Sequence, residues 1–168
     1  MRYHNITHDD MLNGDGIRVV LWVAGCEHHC VGCHNPITWN PQGGKLFTVN
    51  EMDEIDAELS KDYVAGVTFS GGDPLHPENR ELIWNLIIHF KLGNLDKTVW
   101  MYTGYTWEEI IKDDKLYKCI EHVDVLVDGK FEKELADKKY KWVGSKNQRV
   151  IDVQKSIEKG KVVLHESH

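Results

Sequence analysis

Four apolar, β-branched runs, each ending in glycine and separated by stretches of helical spacing, constrain this chain more than any other feature. They are IRVVLWVAG (17–25), AGVTFSGG (65–72), DKTVWMYTG (96–104) and VDVLVDG (123–129). Between them, TVNEMDEIDAELSKD opens with Thr48 and Glu51 at capping-box spacing. ENRELIWNLIIHFKLG carries Leu82, Leu86, Ile87 and Phe90 on one helical face and Gly93 as a stop, and Thr106 and Glu109 cap TWEEIIKDDK. Strands joined by helical crossovers lie parallel, so the expected class is α/β with a mostly parallel sheet. Too few strands are visible to close an eight-stranded barrel, which predicts an open, partial TIM-type (βα) barrel. Past 129 the pattern weakens. KWVGSKNQRVIDV predicts a short strand and a turn, and KVVLH a last strand.

In a parallel α/β fold the C-terminal strand ends share one face, and sites are built there. Gly25–Cys26, Ser70 to Asp73, Thr103–Gly104 and Asp128–Gly129 therefore converge on one mouth. The formal charge of −7 argues against nucleic acid or an anionic membrane surface as a partner. No apolar run approaches the roughly 20 residues of a membrane span. The opening MRYHNITHDD lacks the apolar core of a secretory signal, so a cytoplasmic location is expected. Reduced thiols or metal ligands are then the expected state of the four cysteines.

Three of those cysteines, Cys26, Cys30 and Cys33, lie within eight residues, AGCEHHCVGCHN, and the fourth is distant Cys119. On a helix the three would form an apolar stripe. Gly25 and Gly32 interrupt the run, and Glu27, His28 and His29 are poor core neighbours, so a loop that binds metal is expected. A structural zinc would add His28, His29 or His34. A 4Fe–4S cluster with three protein ligands would leave one iron open, and an open position marks a catalytic metal.

CxxxCxxC after the first strand and SGGDPL after the second resemble the radical S-adenosylmethionine superfamily. With the short length, the segments NGDGIRVVLWVAGCEHHCVGCHNPITWN, SGGDPLHPEN, YTGY, DVLVDGKF and GSKNQRVIDV resemble the activating proteins of anaerobic (class III) ribonucleoside-triphosphate reductases. The resemblance spans residues 3–153 and implies a radical S-adenosylmethionine activase domain over 1–153, with a tail of uncertain structure over 154–168. It implies one 4Fe–4S cluster on Cys26, Cys30 and Cys33, with S-adenosylmethionine chelating the open iron. Reductive cleavage would give methionine and a 5′-deoxyadenosyl radical, which takes a hydrogen atom from a glycine of the reductase. A flavodoxin-like protein is the implied electron donor.

Carried onto this chain, the implied cofactor contacts are Gly32, Cys33, His34, Gly71, Gly72, Asp73, Thr103 and Asp128, with no catalytic side chain beyond the cluster ligands. Gly71, Gly72 and Asp73 match the turn that meets the methionine amino group, and Asp128 the cofactor or the partner's loop. Superfamily members often place an aromatic residue before the third cysteine. Here that residue is Gly32, which leaves His34 or Trp39 for adenine. A side chain at Gly72 is expected to collide with bound cofactor, unless the glycines only form a tight turn. His28 and His29 are expected to be loop residues that tune cluster polarity or face solvent. Cys119 is expected to be a buried apolar residue, and EKELADKKYK a solvated face. The competing readings are a pyruvate formate-lyase activase type of enzyme and a non-catalytic zinc-binding module.

Overall fold

A computed structural model describes residues 1–166. Its strands are β1 (Arg2–Asp10), β2 (Ile17–Val23), β3 (Lys45–Leu46), β4 (Val64–Gly71), β5 (Thr98–Tyr102), β6 (Val125–Asp128) and β7 (Arg149–Asp152). The helices are α1 (Val49–Leu59), α2 (Arg80–Gly93), α3 (Trp107–Ile111), α4 (Asp114–Ile120) and α5 (Val153–Lys159). They build one seven-stranded sheet of order β3-β1-β2-β4-β5-β6-β7. β2, β4, β5 and β6 pair in parallel. β1 and β7 run antiparallel on either side of them. β3, antiparallel to β1, points with the parallel set, so five of the seven strands share a direction. β3 and β7 are the two edges and the sheet is not closed.

The central strands are buried on both faces, which is why they read as unbroken apolar runs rather than alternating ones. In β5, Val99 and Met101 join one core, against Ile55, Ile83, Leu86, Ile87, Phe90 and Ile110 of the helices. Trp100 and Tyr102 point to the other side, where Trp100, Val125, Val127 and Val150 meet Trp142 and Val143. Helices thus cover one face and a loop covers part of the other. Both predicted capping boxes form, Thr48 with Glu51 on α1 and Thr106 with Glu109 on α3.

Arg18 closes the second face at its N-terminal end. Its guanidinium is fully buried and donates to Thr68 Oγ1, Thr98 Oγ1 and the carbonyls of Asp15, Val67 and Thr98, at 2.8–3.0 Å. With no carboxylate among the described residues bonded to it, burial lowers its pKa to about 10.

The sequence reading lacks β1, β3, α4 and α5, and it expects a last strand that does not form. The opening RYHNITHDD forms β1, a strand whose only buried side chain is Tyr3, so its polar composition hid it. KVVLH is not a strand. Leu164 makes a single bridge to Ile151, and the preceding residues form α5, capped by Asp152 and ended by Gly160. Positions 167–168 of the expected tail lie outside the described residues. No helix among the described residues is long and apolar enough to cross a membrane.

Candidate cofactor and cluster site

The C-terminal ends of β2, β4, β5 and β6 meet at one mouth, and backbone hydrogen bonds sew them together. Gly72 N–H donates to Val23 O (2.8 Å) and Asp73 N–H to Gly25 O (2.7 Å). Gly25 N–H reaches Thr38 O (2.7 Å) and Cys26 N–H reaches Trp39 O (3.1 Å), which anchors the start of the cysteine loop. Asn79 at the head of α2 donates its amide to the carbonyls of Ala24 (2.9 Å) and Asp73 (3.1 Å).

Asp73 is the hub. It is 1% exposed. Its Oδ1 accepts from Leu75 N–H (2.8 Å) and Thr103 Oγ1 (2.9 Å). Its Oδ2 accepts from Gly104 N–H (2.9 Å) and contacts His28 Nε2 at 2.6 Å. One carboxylate therefore holds the ends of β4 and β5 and the cysteine loop.

Gly71 and Gly72 are needed for different reasons. Gly71 sits at φ +106°, a region side chains rarely adopt. A Cβ on Gly72 would stand 2.5 Å from Gly25 O and 2.9 Å from Thr38 O. The expected collision at Gly72 is therefore with protein backbone, and the glycine lets two strand ends approach.

Cys26, Cys30 and Cys33 line one cavity of about 150 Å³ together with Gly71, Gly72, Asp73, Tyr102 and Thr103. Backbone N–H groups aim at the sulfurs: those of His28 and His29 at Cys26, of Phe131 at Cys30, and of Asn35 at Cys33 (3.4 Å). Burial pushes the Cys26 thiol up to about 11 and raises Cys30 as well. A coordinating cation reverses that by deprotonating the thiol outright. Among the described residues no set of three or more His, Cys, Asp and Glu side chains is already drawn in tightly enough to chelate an ion.

The donor chemistry nevertheless fits a cluster: three soft thiols on one loop, with N–H groups directed at sulfur. Two buried donors lining the same cavity, Trp39 Nε1 and Tyr102 OH, have no hydrogen-bond partner among the described residues. A polar ligand there would satisfy them.

Other sequence-predicted residues lie around this cavity. His34 lines an adjoining cavity of about 420 Å³ and packs on Phe131 at 5.1 Å. Gly32 turns the loop at φ +78° beneath Lys133. Asp128 faces an adjoining cavity of about 520 Å³, which shares Gly104, Gly129 and Lys130 with the cysteine cavity. There it accepts from Trp107 N–H (2.8 Å) and from Arg149 Nε (3.1 Å) and Nη2 (2.6 Å). Trp39 lines the cysteine cavity and stacks on His29 at 4.5 Å. Cys119 is buried away from the site, between α2 and α4.

His28 lies in the loop as expected, but its side chain does not face solvent: it is buried against Asp73. Its partner is 45 residues away, a separation that local spacing does not reveal. Tyr102 was likewise missed, because in sequence it is one more apolar strand residue.

A family model described as a 4Fe-4S single cluster domain matches residues 12–151. The anaerobic ribonucleoside-triphosphate reductase-activating protein of Enterobacteria phage T4 is 48% identical over 150 residues, 89% of this chain and 93% of that protein. Its namesake from Vibrio cholerae is 41% identical over 88% of this chain and 96% of its own length. That of Escherichia coli K12 is 38% identical over 89% and 97%. By near full-length identity, the chain belongs to the family of anaerobic ribonucleoside-triphosphate reductase-activating proteins.

Proposed function

We propose that this protein activates an anaerobic ribonucleoside-triphosphate reductase by generating a glycyl radical on it. The observation that carries the reading is one cavity shared by Cys26, Cys30, Cys33 and the Gly71–Gly72–Asp73 turn. When bound there, a 4Fe–4S cluster supplies an open iron for S-adenosylmethionine and the electron that cleaves it to methionine and a 5′-deoxyadenosyl radical. Hydrogen transfer from a reductase glycine to that radical would release 5′-deoxyadenosine, so one electron in would give one stored radical.

The chain's own residues bind and orient. Both Asp73 oxygens are engaged within the protein, so its part is to hold the turn whose backbone oxygens meet the methionine ammonium. Thr103, Tyr102 and Trp39 line the cysteine cavity, where Thr103 would border the adenosyl group and Tyr102 OH and Trp39 Nε1 would donate to it. Trp39 lines the cysteine cavity and His34 the adjoining one, which favours Trp39 for adenine. Asp128 fixes Arg149 at the rim, and Gly32 shapes the loop. The activase unit is residues 1–153, read as an open partial barrel, and Trp22, Tyr102 and Trp142 line one groove with Cys30 and Cys33. That groove receives the reductase segment. The protein works in the cytoplasm. A flavodoxin-like donor reaches the cluster over the cysteine loop, where Val31 is 77% exposed.

The test is anaerobic reconstitution. The protein should take up about four irons and four sulfides, and with reductant should turn S-adenosylmethionine into methionine and 5′-deoxyadenosine. With the reductase, a doublet electron-spin signal of a carbon-centred glycyl radical should follow. Bound zinc without acid-labile sulfide would refute the reading in favour of a zinc module.

A further inference from the structure

His28 stands midway in sequence between two of the cysteines and lines the cavity they share, yet its imidazole bonds a carboxylate rather than a thiol. Nε2 lies 2.6 Å from Asp73 Oδ2, with the two side chains 8% and 2% exposed. The ring meets Tyr105 edge-on at 4.8 Å. A Cβ on Gly104 would lie 2.4 Å from the ring, so the end of β5 is shaped to receive this imidazole. Asp73 is itself fixed by Thr103, Gly104 and Leu75. Past Cys26 the loop also packs His29 on Trp39 and His34 on Phe131, contacts that do not involve the Gly71–Asp73 turn. Cys33 N–H bonds only within the loop, to Cys30 O, and Val31 is largely exposed.

We infer that His28 is a positioning residue: by donating Nε2–H to Asp73 it locks the cysteine loop to the Gly71–Asp73 turn and sets where the cluster stands relative to S-adenosylmethionine. This rests on the function proposed above. The logic is geometric. The cluster site and the amino-group turn lie on separate loops, and electron transfer to the sulfonium requires a fixed distance between them. His28–Asp73 is the short, buried side-chain link between the two, beside a longer Glu27–His76 pair at 3.9 Å whose carboxylate is exposed, and a hydrogen bond to a carboxylate is stronger than a neutral one. Gln can present an N–H where His28 Nε2 stands, whereas Phe keeps the ring against Tyr105 and Gly104 but donates nothing.

The experiment compares wild type, His28→Gln and His28→Phe. In iron-replete protein of matched melting temperature, His28→Phe should weaken S-adenosylmethionine binding about tenfold or more and lose most of the cofactor-induced change in the reduced cluster's spin signal. His28→Gln should restore both to within about threefold of wild type. Amide hydrogen exchange on the metal-free chain is the second arm. His28→Phe should speed exchange in residues 27–34 while β4 and α2 keep their protection, and His28→Gln should not. Normal affinity and spin signal in His28→Phe, equal damage in both variants, or unchanged loop exchange would each overturn the inference. If wild type holds a cluster but binds no S-adenosylmethionine, the proposed function fails, and the exchange arm alone decides whether His28 ties the two loops.

Discussion

The two halves of the mouth are built differently. On the Asp73 side, every polar group of the carboxylate is paired, the side chain is 1% exposed, and strand ends approach so closely that Gly72 admits no Cβ. On the cysteine side the thiols are half-buried and receive only backbone N–H groups, and Val31 stands in solvent. The difference follows from what each half must hold. An organic cofactor offers weak, directional contacts, so its cradle has to be formed in advance. Metal–thiolate bonds are strong enough to order a loop themselves, so their ligands need less support from the fold.

Removing one thiol breaks only the weaker half. Cys30→Ala, Cys26→Ala or Cys33→Ala should abolish cluster assembly outright while leaving the melting temperature of metal-free protein nearly unchanged. Cys119→Ala should keep the cluster, as read by iron and sulfide analysis. A full cluster in Cys30→Ala would contradict the ligand assignment. The preformed half should respond in the opposite way. Asp73→Ala strips acceptors from buried donors and should cost about 2–4 kcal/mol. That corresponds to a drop of roughly 5–15 °C in the metal-free protein's melting temperature. Gly72→Val should fall in a similar range, because its clash is with the Gly25 and Thr38 backbone. An unshifted melt for either variant would erase the contrast between the halves.

The smallest effect lies outside the mouth and serves as its control. Glu108 is held below the usual carboxylate range, chiefly by its hydrogen bond to Arg149. Its folded pKa is lower than its unfolded one. The pairing therefore adds stability above the unfolded value and loses it as pH falls through the folded one. Half-exposed, the pair is worth at most about 1 kcal/mol. Glu108→Gln should destabilise slightly at neutral pH and not at all in acid, with iron content unaltered. A pH-independent effect would mean the ion pair is not its cause.

Much of this was legible in the chain. The parallel strands, both capping boxes and the convergence of glycine-ended strands followed from periodicity and caps, which are local signals. The cysteine loop followed from spacing. What escaped was long-range or polar. β1 has almost no apolar alternation, and its strand character comes from pairing with β2. The His28–Asp73 link joins residues that no local pattern relates. Tyr102 differs from its apolar neighbours only by a hydroxyl left unpaired at the cavity. The Gly72 environment is invisible until Gly25 and Thr38 are placed beside it.

The central claim is that three thiols and the Asp73-held turn form one site for a cluster and S-adenosylmethionine. Its most direct measurement is electron-spin spectroscopy of the reduced, reconstituted protein, with and without S-adenosylmethionine carrying 17O or 15N in its methionine carboxylate or amine. The account predicts a 4Fe–4S signal that shifts on adding cofactor, with hyperfine coupling from both labels to the cluster. An intact reduced cluster whose signal ignores S-adenosylmethionine, with no coupling to either label, would contradict it.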